Sequence, residues 1–222
     1  MQYLIRKTTT PVPLDDPWDG PHRREAETLE IANFRPEGSD HRPRTRARLM
    51  YDDRGIYGMF HVLDRYVRCV HTHFQDPVSR DSCVEFFVLP KPDKGYFNFE
   101  FNCGGALLCY YIEDCERTEN GFKKRTALSE EDGERVRIQH SLPERIEEEI
   151  TEETEWTLGF FIPFALLEKY TGPLGRVPGQ TWRANFYKCA SASSHPHYAA
   201  WSPVDELNFH LPWCFGEIMF EE

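Results

Sequence analysis

Phe97, Phe99 and Phe101 alternate with Asn98, Glu100 and Asn102 across residues 96–102, and no other feature constrains the fold as strongly. A period of two places successive side chains on opposite faces of a sheet. One face of this strand is three phenylalanines that must pack on a second layer; the other is three short polar groups. Two further segments share the pattern. Val84, Phe86 and Val88 lie opposite Glu85, and Trp182, Ala184 and Phe186 lie opposite Arg183, Asn185 and Tyr187. Three such strands predict an all-β fold, an antiparallel β-sandwich of jelly-roll or immunoglobulin-like type. Its buried layer would hold Phe97, Phe99, Phe101, Val84, Phe86 and Trp182, and its outer face would be polar.

The rest of the chain reads consistently with one domain over residues 1–222. About ten short strands with turn signals every 8–12 residues fit a single sandwich. Residues 2–7 read as a strand, 45–51 and 56–63 as a hairpin around an Asp-Asp-Arg-Gly turn, and 82–89 and 96–103 as a pair. Pro163 at its start and Gly172 at its stop mark a short helix over 164–170. Residues 113–134 read as a charged, mobile stretch, the acidic run 144–155 as a solvated loop or edge, and 191–210 as a long loop.

Aromatic residues make up 14% of the chain, which favours strands and leaves Trp and Tyr for a site. A net charge of −11 lacks the basic footprint that phosphate binding needs, so no nucleic-acid partner is expected. No apolar run of about 18 residues occurs, which gives no membrane span. Residues 1–13 lack the charged and apolar regions of a signal peptide. The seven cysteines are odd in number, scattered and without a CxxC. Together these predict a cytoplasmic protein with free thiols. Oligomeric state is not legible.

Glu85, Asn98, Glu100, Asn102, Arg183, Asn185 and Tyr187 line one outer face if their strands are neighbours. Carboxylate, amide and guanidinium groups match sugar hydroxyls as both donors and acceptors; the alternative is an ordinary solvated face. Trp201, in a polar loop, is a candidate platform for a sugar ring, against the alternative of a plug at the end of the sandwich. Glu85 and Glu100 also suit a glycosidase carboxylate pair. His71-x-His73 and His195-x-His197 lack the spacing of a metal site. Asp15, Asp16 and Asp19, with Glu37 and Asp40, have the carboxylate density of a calcium loop, against solvated turns. No cofactor is required by these readings. P-loop, GxSxG and dinucleotide motifs are missing.

Several segments, taken in order, resemble carbohydrate-binding module family 9 and its DOMON-type relatives. They are residues 56–64, the Asp-Ser-Cys-Val-Glu-Phe-Phe-Val run at 81–88, residues 96–105, 156–164 and 182–187, and Trp201-Ser202-Pro203 leading into 209–212 and 215–218. The resemblance implies a β-sandwich that binds a sugar ring between two tryptophans, with polar side chains on its hydroxyls. Asp64, Glu85 and Trp201 match positions of that site, and Arg183 and Asn185 lie in its late strand. The first tryptophan has no counterpart in residues 72–80, where His73 and Phe74 are the available rings. The expected function is therefore non-catalytic binding of a mono- or oligosaccharide. Glycoside processing by Glu85 and Glu100, or a protein-interaction sandwich without a sugar site, are the competing classes.

Overall fold

The computed structural model describes residues 1–119 and 121–222. Among these, the strands in chain order are β1 (Gln2–Lys7), β2 (Leu29–Glu30), β3 (Asn33–Phe34), β4 (Arg44–Tyr51), β5 (Gly55–Asp64), β6 (Val67–Cys69), β7 (Cys83–Leu89) and β8 (Tyr96–Asn102). They continue with β9 (Leu107–Thr118), β10 (Gly121–Ala127), β11 (Arg137–His140), β12 (Ile146–Ile150), β13 (Thr154–Pro163), β14 (Thr181–Cys189), β15 (Tyr198–Ala200) and β16 (Gly216–Phe220). Two short α-helices, α1 (Glu130–Glu134) and α2 (Phe164–Thr171), and 3-10 turns at Val78–Arg80 and Pro212–Cys214 complete the regular structure. Among the described residues no helix is long and apolar enough to cross a membrane.

One hydrogen-bonded path runs β10-β9-β8-β7-β14-β16-β1-β4-β5-β13-β11, and β12 pairs only with β6. Pairing is antiparallel except at β1, which runs parallel to both neighbours. Gln2–Ile5 pair with β16, and Arg6 and Lys7 with β4, so β1 joins the two halves of the sheet.

The alternating phenylalanines explain how the halves meet. Phe97, Phe99, Phe101, Val84 and Phe86 are fully buried, and Trp182 nearly so. Phe160 on β13 stacks on Phe101 at 5.3 Å and on Phe86 at 5.8 Å, while Phe60 on β5 meets Phe186 on β14 edge-on at 6.3 Å. Each such side chain contributes roughly 1.5–3 kcal/mol by leaving water. Gly58 is required by this packing: a Cβ there would lie 2.0 Å from the Phe160 ring.

Two charged stretches are more ordered than their composition suggests. Residues 113–134, expected to be mobile, contain the end of β9, all of β10 and α1. Opposite charges face each other across that hairpin, with Lys123 on Glu116 and Asp114, and Lys124 on Glu113. The acidic run contributes β12, whose Ile146 and Ile150 pair with β6 and point apolar groups at the core.

Candidate functional site

Register places the polar residues of the outer face in rows. Tyr187, Glu85, Glu100 and Leu108 stand side by side on β14, β7, β8 and β9. Asn185, Phe87, Asn98 and Tyr110 form the next row, and Cys189, Cys83 and Asn102 the row on the other side. The strands are thus the neighbours that the sequence required, but the face is not solvated. Glu85, Asn98, Glu100, Asn102, Asn185 and Tyr187 are buried, and the segment 201–215 is bonded to the β14 side of the face.

Three of the predicted residues hold that segment. Asn185 donates to Ser202 O and accepts from Ser202 N, each at 2.9 Å. Tyr187 donates to Phe209 O at 2.9 Å and stacks under the Phe209 ring at 4.1 Å. Arg183 donates to the carbonyls of Phe215 and Trp213. None of these three lines the cavity beside Glu85 and Glu100. Asn102 fixes the turn after β8, donating to His71 O and Asp81 and accepting from Ala106 N.

A cavity of about 220 Å³ remains beside this cover, lined by Ser79, Glu85, Glu100, Arg117, Cys189, Ser191, Tyr198 and residues 207–210. Glu85 and Glu100, direct cross-strand partners, reach it from the sheet. Asn98 stands behind them, donating to Glu100 Oε1 at 2.7 Å while its own oxygen accepts from Tyr110 N. Burial pushes the Glu100 carboxyl up to about 7, against the opposing effects of the Asn98 hydrogen bond and Arg117. Burial, the Cys189 thiol and the neighbouring Glu100 hold Glu85 well above the usual carboxylate range. His210 packs on Phe87 and Phe122 and pairs with Tyr96 Oη at 2.9 Å; burial lowers it to about 3, so the ring is neutral. Arg117 is the cation of the lining, with its guanidinium 3.9 Å over Phe122.

Two residues carried over by resemblance lie elsewhere. Trp201 is 2% exposed and belongs to the main core, edge-on to Phe186 at 5.6 Å, so it cannot offer a free ring. It enters because residue 216 is glycine; a Cβ there would come within 2.6 Å of the indole. Asp64 is buried between the halves, 3.1 Å from Lys188 Nζ and 2.7 Å from His41 Nε2. Lys188 alternates with Tyr187 and Cys189, so this pair belongs to the inner face. His197 completes it, 2.8 Å from Lys188 Nζ, and burial beside that lysine lowers the imidazole to about 3. Phe74 packs on Gly133 and His73 pairs with Asp76; neither lines the cavity.

Among the described residues, Cys83, Glu85 and Cys189 form the one group that brings three potential ligand atoms within 4.8 Å of each other. The Asp15, Asp16, Asp19, Glu37 and Asp40 carboxylates do not gather in this way. All seven cysteines are free. Arg117, Tyr198, Phe209 and His210 are cavity residues that sequence reasoning missed. Only the Phe209-His210 pair carried a signal, as part of an ordered motif.

The chain is thus a mostly antiparallel β protein with a small polar-floored cavity on one sheet face. The family model for carbohydrate-binding family 9 matches residues 22–220, and the chain belongs to that family. A candidate carbohydrate-binding protein from Bacteroides uniformis ATCC 8492 is similar at 28% identity and a TM-score of 0.84, with 99% of each chain covered. A family 9 module from Caldicellulosiruptor kristjanssonii, solved with glucose, shares the fold at 14% identity and a TM-score of 0.59, covering all of this chain and 96% of its own. The cellotriose complex from that organism gives 15% identity and a TM-score of 0.58, covering all of this chain and 94% of its own. None of the curated proteins compared matches the chain.

Proposed function

We propose that this chain is a β-sandwich that binds carbohydrate without catalysis, taking one sugar ring into the cavity over Glu85 and Glu100. Membership of the family supports the ligand class, and relatives of this fold are solved with glucose and cellotriose. The observation that carries the placement is the cross-strand carboxyl pair facing a cavity with hydroxyl, amide and ring neighbours. A carboxyl that is protonated donates, and one that is ionised accepts, so the pair meets sugar hydroxyls in both directions. Arg117, Ser79, Ser191 and Asn208 supply further donors, and Tyr198 and Phe209 the rings. At about 220 Å³ the space is below the roughly 300–1,000 Å³ of sites for drug-sized ligands, which suits one ring at a glycan end. Binding of this kind uses no cofactor.

Calorimetry with glucose, galactose, mannose, xylose and cellobiose tests the reading. An affinity of roughly 10–1000 μM, about −4 to −7 kcal/mol, is expected for at least one of them. Arg117 is exposed, so Arg117→Ala should weaken binding about tenfold with an unchanged melting temperature. No binding by any sugar at millimolar concentration defeats the proposal. Two adjacent carboxyls both held above the usual carboxylate range also favour a second reading, glycoside hydrolysis by the pair. Turnover of chromogenic glycosides that is lost in Glu85→Gln would establish it instead.

A further inference from the structure

The floor of the same cavity holds a donor set that sugar binding does not explain. Cys83 on β7 and Cys189 on β14 stand directly opposite each other, and Glu85 follows two residues after Cys83 on the same face. Cys189 Sγ lies 3.2 Å from Glu85 Oε1, and Cys83 Sγ lies 3.9 Å from it. A tetrahedral zinc ion, with bonds of about 2.3 Å to sulfur and about 2.0 Å to oxygen, separates a sulfur and an oxygen ligand by about 3.5 Å. The two observed distances bracket that value. All three residues are at most 2% exposed.

The partners of Glu85 are the second, independent observation. Among the described residues, its carboxyl group has hydrogen bonds from these two thiols alone. Thiols are weak donors, and a carboxylate buried with such partners is costly. The neighbouring Glu100 raises it further, and among the described residues no Lys, Arg or His forms an ion pair with it. Glu85 and Cys189 both line the cavity, which gives an ion a path in and leaves a fourth coordination position open on that side.

We propose that Cys83, Glu85 and Cys189 form a binding site for a thiophilic divalent cation of the zinc class. Two sulfur donors exclude calcium and magnesium as its natural occupants. The cation takes thiolates and a carboxylate, so its binding expels one proton from each thiol and one from the Glu85 carboxyl. Affinity must fall as pH falls. The site goes beyond the sugar reading and stands without it, since its occupancy is measured with the metal alone.

Titration of the reduced protein with Co²⁺ is the direct experiment. One equivalent should produce a near-ultraviolet thiolate-to-cobalt charge-transfer band and the visible bands of a tetrahedral centre, both removed by Zn²⁺. Cys83→Ser and Cys189→Ser should each weaken binding more than about 100-fold. Cys69→Ser, which removes a thiol hydrogen-bonded to Cys103 away from this site, should leave the spectrum unchanged. Because the serine variants alter a buried site, the wild type provides a second measurement. X-ray absorption of the zinc-loaded protein should show two sulfur neighbours at about 2.3 Å. A missing charge-transfer band, a band that survives in the Cys83→Ser/Cys189→Ser protein, or a zinc shell without sulfur would each overturn the proposal.

Discussion

Replacing Glu100 by glutamine should make the protein more stable, and only at neutral and alkaline pH. The side chain is buried and accepts from Asn98 Nδ2; burial raises its carboxyl from 4.5 to about 7. A folded-state value above the unfolded one means that the native protein keeps this proton longer. The stability associated with the neutral form is whole below pH 4.5 and is lost as pH rises through about 7. The displacement corresponds to about 3 kcal/mol. Glutamine keeps the volume and the acceptor for Asn98 but cannot ionise. Urea unfolding curves should therefore coincide for wild type and Glu100→Gln near pH 4 and separate progressively above pH 6. At pH 8.5 the variant should lead by up to about 3 kcal/mol, or about 6–12 °C in melting temperature. Some slope should persist in the variant, because burial also raises Glu85, and it should be shallower because Glu100 no longer repels it. Curves offset by a constant at every pH, or a variant that is weaker at pH 8.5, would refute the argument that Glu100 is carried through folding as a strained acid.

Three further substitutions test the placement of residues. Trp201→Ala should cost about 3–5 kcal/mol in urea unfolding, as for a core aromatic; a loss below about 1 kcal/mol would mean that the ring is at the surface. Asn185→Ala strips both backbone groups of Ser202 of their partner, at about 1–3 kcal/mol for each group left unsatisfied. Amide exchange in residues 202–210 should accelerate, and exchange at wild-type rates would show that the cover is held by other contacts. Lys188→Met leaves Asp64 buried with only His41 and the Arg65 N–H as partners and should cost about 3–5 kcal/mol, most of it restored when Asp64→Leu is added. A double variant as unstable as the single one would contradict the inner-face pairing.

The strands were legible because their apolar residues recur every second position and have one place to go. Phe97, Phe99 and Phe101 could be assigned to the core without knowing what they would meet. The polar members of the same strands carried no such information. Asn185 and Tyr187 read as a recognition face, yet their partners are backbone groups of a segment some twenty residues further on, and a side-chain amide looks the same in either role. Trp201 failed for a related reason. Its immediate neighbours are those of a surface loop, while the space it occupies is created by the missing side chain of Gly216. The charged hairpin β9–β10 was hidden because its stability comes from pairs across two strands, and a linear reading sees only a run of ionised residues.

Strand β14 shows how the remaining ambiguity is resolved. Lys188 and its neighbours Tyr187 and Cys189 differ by one position in sequence and by a whole face in the fold. On the inner side, Lys188 is paired with Asp64, His197 and the Cys189 carbonyl, and Asp64 in turn with His41. Each charged member of that cluster has a charged or polar neighbour, and none of them lines the cavity over Glu85. On the outer side Glu85 has only thiols, faces a second carboxyl, and opens on a cavity. Both clusters are equally buried, so burial of charge alone does not mark a site. What separates them is that the carboxylate of the first is ion-paired with a lysine, whereas that of the second has thiols alone. A ligand offering hydroxyls, or a cation taking the thiolates, supplies what the second lacks, and this is the physical reason to look for binding over Glu85 rather than at Asp64.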